Sequence, residues 1–561
     1  MACSLDRSRA LVGLAGVLLL GGVLWVGLRT DFLPCTLDCG ETYEAYIGAR
    51  NLDRFGWLAT WGLQDFAAGA DPVAHPALYT HNPNLGMYVL AGLFALGVRD
   101  VHAQTPWLAL PFLLGMLYLY GAVRLVGGDR LLAACCLLQA AGSYLLVTLW
   151  AFDAVRVWSW LLTFGLVYHL ARWAHGAGRG HLALAGLALA LSIGIDYPFA
   201  VFLSALVLAL AWLRVLPLRV PVAVLLVVAA VGGAVALRQG QVVAAIGPEL
   251  WWADLTTTML RRVPLLALVV SMPDPQPLAD ARHLVVWQGG EGVPQPLTWA
   301  WRLTRAYTAV LGWPLLVLGA AWWWALRHRE RVDERLQPAL RLSLALGLAL
   351  VATFAVFAQY VTAFYGVFLM PLVVHWLVLL LGLATAALLY HWRATMRWGR
   401  VTIPIGVLLL VVFVGWRVGT EVRNVVTLPP VGYPARTVLT ELRGRSVATL
   451  WISSAASAYT DEWAAALRTM RWLVFGGRAL IFDPAVEYDT FFQRDRENPV
   501  YRHPEFIVVP RLNTFGLTRT CQPLGGAIYG FADGCSSLDL PTARAVWQRG
   551  PDYVIYKTAG R

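Results

Sequence analysis

Charge is scarce in this sequence. Asp, Glu, Lys and Arg together make up 14% of its 561 residues, against about a quarter in an average soluble domain. That shortage, with 58% hydrophobic residues and a mean hydropathy of +0.60, excludes an ordinary soluble chain and predicts a polytopic membrane protein. A small-x-small cleavage site is missing after the first apolar run, Leu11 to Leu28, and Arg29 flanks its far end. The run therefore reads as an uncleaved helix whose amino end, with Arg7 and Arg9, stays in the cytoplasm. A soluble basic surface is missing as well. The net charge of +11 sits in short loops between apolar runs, as the bias of cytoplasmic loops predicts, so the chain has no nucleic-acid partner in this reading.

Long apolar runs are what the sequence has in quantity. Spans are read near 11–28, 105–125, 131–149, 154–171, 182–195, 197–213, 219–236, 306–326, 340–358, 368–390 and 401–418, about eleven in all, each roughly a bilayer crossing or somewhat short of one. Arg124/Arg130, the run Arg172 to His181, Arg214/Arg219, Arg327-His-Arg-Glu-Arg331 and His391 to Arg400 then fall inside, and the carboxyl terminus falls outside the plasma (inner) membrane. The segment Asn84 to Val98 reaches only about 22 Å, short of a ~30 Å core, and reads as an interfacial or re-entrant helix on the outer face. The similarly short Leu182 to Ile195 has basic loops on both sides and must be one arm of a hairpin whose apex is Asp196-Tyr-Pro198.

The expected fold is mainly α: a polytopic membrane helical bundle over 1–420, with outer loops at about 29–104 and 238–305, and a small extracytoplasmic α/β domain over 421–561. In that tail Val447 to Ile452 and Ala479 to Phe482 read as strands, Asp461 to Val474 reads as an amphipathic helix, and Phe475-Gly-Gly-Arg478 stops it. Cys35, Cys39, Cys521 and Cys535 fall outside in this scheme. Cys521 and Cys535 form a candidate disulfide of an oxidising compartment, although four cysteines allow about three connectivities. Zinc held by Cys35, Cys39, His75 and His81 is the alternative, at spacings wider than structural zinc sites use.

Three motifs carry the chemistry. They are Asp38-Cys-Gly-Glu41-Thr-Tyr-Glu44 continuing to Arg50-Asn51-Leu52, then His81-Asn82-Pro83-Asn-Leu-Gly-Met-Tyr88, then Trp150-Ala-Phe-Asp153. In order and membrane placement they resemble the integral-membrane C-type glycosyltransferases, in particular the protein O-mannosyltransferase and aminoarabinose-transferase branch, over about residues 10 to 420. The resemblance implies a donor sugar on polyprenyl phosphate, a catalytic carboxylate in the first outer loop, and His81 and Asn82 among the substrate-binding residues. Most members have adjacent Asp-Glu; here Gly40 precedes Glu41 and the nearest Asp is Asp38, so either can be the base. Tyr360 through Pro371 resembles the family's late aromatic-to-proline segment near the lipid carrier. Asp196 stands where many members have a basic residue.

The same chemistry follows without the family. Transfer from a lipid phosphate needs a base for the acceptor hydroxyl and cations for the departing phosphate. Asp38 or Glu41 can be the base, and Asp153, outside at the start of the fourth span, can share that cleft. Arginine suits the phosphate because its planar donors bind two oxygens at once. Arg261, Arg262, Arg282, Arg302 and Arg305 crowd the second outer loop, against the usual inside bias. Plainer roles compete: solvated juxtamembrane acids for Asp38 and Glu41, an ion pair of Asp153 with Arg156, a turn at His81-Asn82-Pro83, and lipid headgroups for Arg261 and Arg262. Paired outer carboxylates can hold Mg or Mn, whereas a lone base needs neither. The acceptor is a lipid, a glycan or a protein.

Two other classes fit a polytopic chain: a secondary transporter coupled through Asp153 and Asp196, and a non-catalytic envelope-assembly protein whose outer domain binds a partner. Against the transporter, the sequence lacks a paired repeat of interrupted helices and has a large loop after its first span.

Overall fold

A computed structural model describes residues 11–21, 40–65, 78–80, 83–98, 101–141, 157–263, 334, 336–363 and 370–395, and strand residues 446–450, 478–482, 506–510, 543–549 and 553–558. The chain divides into two compact units. One comprises 1–38, 80–86 and 102–427; the other comprises 39–79, 87–101 and 428–561.

The described helices are α1 Leu11–Gly21, α2 Gly40–Phe55, α3 Leu85–Ala95, α4 Val101–Leu125, α5 Arg130–Ala141, α6 Val157–Ala174, α7 Arg179–Ser192, α8 Tyr197–Trp212, α9 Val220–Val227, α10 Gly233–Ile246, α11 Pro248–Arg262, α12 Gln337–Ala363 and α13 Met370–Thr395. A π-helical turn, Val228–Gly232, joins α9 to α10, so the pair runs as one 27-residue apolar helix. That helix and Gln337–Phe357 are the two described helices long and apolar enough to cross a membrane by length and composition. The α-helical character expected from the apolar runs is present. Expected spans at 306–326 and 401–418 lie outside the described residues, as do the expected helix Asp461 to Val474 and its Gly stop.

Local sequence explains several boundaries. Asp196 is the N-cap of α8, its side chain accepting from the backbone N–H of Phe199, and Pro198 occupies the first turn, where its missing N–H costs nothing. The hairpin apex read from Asp196-Tyr-Pro198 is thus a turn over Ile193–Ile195 followed by a capped helix. One expected boundary is corrected. The seventh span does not end at 236 but continues to Ile246, because the helix buries Arg238 and Val242 instead of releasing them into a loop.

Within the first unit, small residues let backbones approach. A Cβ added at Gly115 of α4 would come 2.8 Å from the Trp160 Cβ of α6, and one at Gly382 of α13 would come 2.8 Å from the Cys136 Cα of α5. Gln139 donates to Thr385 across the same α5–α13 seam at 3.0 Å, and Trp376 of α13 donates to Ser343 of α12 at 3.1 Å. At the centre, the Trp160 ring lies on the His375 imidazole with centroids 4.1 Å apart, flanked by Phe164 and Phe202. Outward, Trp107, Leu110, Leu114 and Leu117 form an exposed apolar stripe on α4. A water-facing helix is polar on that side; this one suits hydrocarbon.

In the second unit β1 Gln64–Asp65 pairs antiparallel with β2 Leu78–Tyr79. A five-stranded sheet comprises β3 Ser446–Leu450, β4 Arg478–Phe482, β5 Phe506–Pro510, β6 Ala543–Arg549 and β7 Tyr553–Thr558, in the order β4-β3-β5-β7-β6. β3 is parallel to β4 and β5, whereas β7 is antiparallel to β5 and β6. The strands read at Val447 to Ile452 and Ala479 to Phe482 coincide with β3 and β4. Their parallel pairing requires a crossover connection, which the intervening residues 451–477 are long enough to supply.

Candidate functional site

Glycine-poor, Trp-rich α11, with sequence Pro-Glu-Leu-Trp-Trp-Ala-Asp-Leu-Thr-Thr-Thr-Met-Leu-Arg-Arg, starts after Gly247, whose φ of 83° favours glycine. Its Asp254 is 4% exposed. The Thr80 hydroxyl donates to Asp254 Oδ2 at 2.7 Å, across 174 residues of sequence. Three residues before Asp254, and so on the same helical face, Trp251 donates its indole N–H to Gln239 Oε1 of α10 at 2.6 Å. Gln239 in turn donates to the Tyr197 hydroxyl of α8 at 2.9 Å. The ring closes through the turn before α8, where Gly194 C=O accepts from the Leu85 N–H at 2.6 Å, and Leu85 lies five residues after Thr80.

This circuit of buried and half-buried polar groups ties residues 80–85 to α8, α10 and α11 within the first unit. Its members sit beside further buried polar groups of the same unit, Asn84, Asp196, Arg238 and Thr257. A carboxylate removed from water demands such donors, since an uncompensated buried charge costs several kcal/mol.

In the second unit, α2 carries Glu41 in its first turn and packs by Gly48 against α3. A Cβ at Gly48 would come 3.0 Å from Gln64 Cγ and closer still to Met87. Tyr88 stacks on Trp57 at 5.2 Å and its hydroxyl donates to Gly62 C=O at 2.9 Å. The aromatic end of the His81-to-Tyr88 motif is therefore a packing and anchoring element.

The remaining sequence-derived site residues are distributed as follows. Arg261 and Arg262 are the last two residues of α11, and Tyr360 lies in α12 beyond the non-helical Phe357, where φ is −117°. The side chains of Glu41, Arg261, Arg262 and Tyr360 lie outside the described set, as do the residues Asp38, His81, Asn82, Asp153, Cys521 and Cys535 entirely. Cys35, Cys39 and His75 are likewise outside it. Among the described residues no group of three or more His, Cys, Asp or Glu could hold a metal ion.

Solved structures of two proteins align with this chain over most of its length. ArnT from Cupriavidus metallidurans, bound to undecaprenyl phosphate, is 12% identical with a TM-score of 0.49, covering 96% of this chain and 97% of that one. The Archaeoglobus fulgidus oligosaccharyltransferase aligns in its complex with zinc and sulfate at 11% identity and a TM-score of 0.47, covering 89% of this chain and 68% of that one. In its apo form it aligns at 12% identity and a TM-score of 0.44, covering 89% and 69%. No family model and no curated protein matches the chain.

Sequence reasoning missed Thr80, Gln239 and Asp254. One signal was present: Trp251 and Asp254 share a helical face with position 258, and Arg261 follows two turns after Asp254.

Proposed function

We propose that this chain is a multi-pass membrane glycosyltransferase that moves a sugar from a polyprenyl-phosphate donor to an acceptor hydroxyl on the outer face of the plasma membrane. Asp38 or Glu41 takes the proton of the acceptor hydroxyl as its oxygen bonds the anomeric carbon, with Asp153 sharing the acidic cleft. The bond from that carbon to phosphate oxygen breaks, and the polyprenyl phosphate departs with the electron pair. Arg261 and Arg262 neutralise the leaving group, with His81, Asn82 and Tyr360 lining the substrate path.

Three features of the sequence support this reading: the ordered motifs, the carboxylates directly after the first apolar run, and the arginines that break the inside bias. The observation that carries it is the bond from Thr80 to Asp254. It joins the residue immediately before His81-Asn82 to the helix that ends in Arg261-Arg262, the two segments from which a donor phosphate would be gripped.

The test is transfer of radiolabel from a polyprenyl-phosphate sugar by the purified protein in detergent. Labelled product that depends on the protein supports the reading. An inert protein that instead accumulates solute in proteoliposomes under an ion gradient would make it a transporter, and one that does neither would leave the assembly role.

A further inference from the structure

After α2 the chain closes into a small fixed knob. From Phe55 to Gln64 it carries no charged residue, and Gly56 and Gly62 turn it at φ of 84° and 69°. The Gly62 N–H donates to Trp57 C=O at 2.8 Å, and the Leu63 N–H donates to Thr60 C=O at 2.8 Å. Tyr88 of α3 clamps both ends of the turn, its ring stacked on Trp57 and its hydroxyl donating to Gly62 C=O. The knob is thus ordered in advance. Its largest side chains nonetheless stay out of the core: Trp57 and Trp61 are each 51% exposed and Leu58 is 84% exposed. Trp61 also holds a left-handed φ of 53°, a conformation unfavourable for any residue with a Cβ. Strain of this kind persists where the surrounding structure imposes it, and it points to a role for the side chain it displays.

We propose that Trp57, Leu58 and Trp61 form a wedge seated at the headgroup boundary of the outer leaflet, holding the second unit to the lipid surface. The proposal rests on the multi-pass membrane reading and not on the transfer reaction. Three observations select lipid as the occupant. Tryptophan joins an apolar ring to one N–H donor and so suits the headgroup level, and a charge-free stretch avoids the cost of ions near hydrocarbon. Two half-exposed indoles and one leucine offer only a few hundred Å², short of the roughly 800 Å² that each partner gives to a stable protein interface. Finally, the knob lies in the loop expected over 29–104, between the first two spans, so both ends of that loop return to the membrane. α3, in the same unit, continues the pattern: Leu85 to Val98 carries no charge, and Leu96 at its end is 80% exposed. Tethering of this kind makes even a small contact effective.

The test uses the full-length protein carrying Leu58→p-benzoylphenylalanine in nanodiscs of phosphatidylethanolamine and phosphatidylglycerol. After irradiation, intact mass spectrometry should show protein with one added phospholipid as the main photoproduct. Adding Trp61→Asn should lower that yield severalfold while the melting temperature in detergent stays near that of the parent. Asparagine accepts the left-handed backbone and lacks the interfacial ring.

Reconstituted, folded protein without a phospholipid adduct at position 58 would overturn the wedge, and so would a crosslink to a second copy of the chain in its place. An unchanged yield after Trp61→Asn would overturn it as well. Should that variant fail to fold, the adduct at position 58 decides alone. A chain that does not enter nanodiscs overturns the membrane reading, and the wedge with it.

Discussion

His169 and His181 meet nitrogen to nitrogen, with Nδ1 atoms 2.9 Å apart, across the turn between α6 and α7. The other ring nitrogen of His169, Nε2, lies 3.1 Å from the Tyr118 hydroxyl of α4, and Tyr168 packs edge-on against both Tyr118 and His169. A hydrogen bond between two Nδ1 atoms needs one protonated and one bare nitrogen. Removing one partner leaves the other nitrogen without this contact, so His181→Ala should lower stability by about 0.5–1.5 kcal/mol, the net worth of a hydrogen bond, read as a lower melting temperature in detergent. An unchanged melting temperature would show that the His169–His181 contact does not hold the turn between α6 and α7.

The α5–α13 seam gives a steric prediction. A side chain at Gly382 would start 2.8 Å from the Cys136 Cα and 3.0 Å from its backbone nitrogen, where no rotamer change can make room. Gly382→Val should cost about 1–3 kcal/mol by overpacking, read as a lowered melting temperature in detergent. Gly232→Val, where an added Cβ meets nothing within 4 Å, is the control and should be far milder.

For catalysis, Asp38→Asn and Glu41→Gln are the decisive pair. Substitution of the true base should lower turnover by roughly 10²-fold or more while leaving donor affinity in place. Near-normal transfer by both variants would remove the first-loop carboxylates from the mechanism. The same assay run with a chelator reports on Mg or Mn: lost transfer, restored by added cation, would assign the paired carboxylates to a metal.

For the donor phosphate, Ala at Arg261 or Arg262 should weaken undecaprenyl-phosphate binding by about 1.5–3 kcal/mol, the worth of a hydrogen bond to a charged group. Lys should restore part of it, since it keeps the charge and loses the planar fork. Acceptor affinity should hardly change. A double Ala variant with wild-type donor affinity would move the phosphate site, with Arg302 and Arg305 as the next candidates.

Much of this architecture was legible in the sequence because it is encoded locally. Apolar runs specify helices through backbone bonding within a few residues, so the helices over 101–125, 179–192, 197–212 and 370–395 lie where hydropathy puts them. The Asp196-Tyr-Pro198 apex is equally local, a capping carboxylate and a first-turn proline acting within three residues of each other. The strands at 446–450 and 478–482 follow from short β-branched and aromatic runs. The motifs that suggest sugar transfer are also linear, and their residue types alone pointed to a base and a phosphate partner.

Tertiary structure decided what depends on distant residues meeting. Nothing near position 236 shows that α10 continues to Ile246; that follows from the burial of Arg238 and Val242 among other helices. No periodicity pairs Thr80 with Asp254 across 174 residues, Gln139 with Thr385 across 246, or Trp160 with His375. A buried polar group must find its partner wherever the fold brings one, because water cannot serve in its place. Sequence sets which groups have that need. Only the packed bundle determines which of them meet.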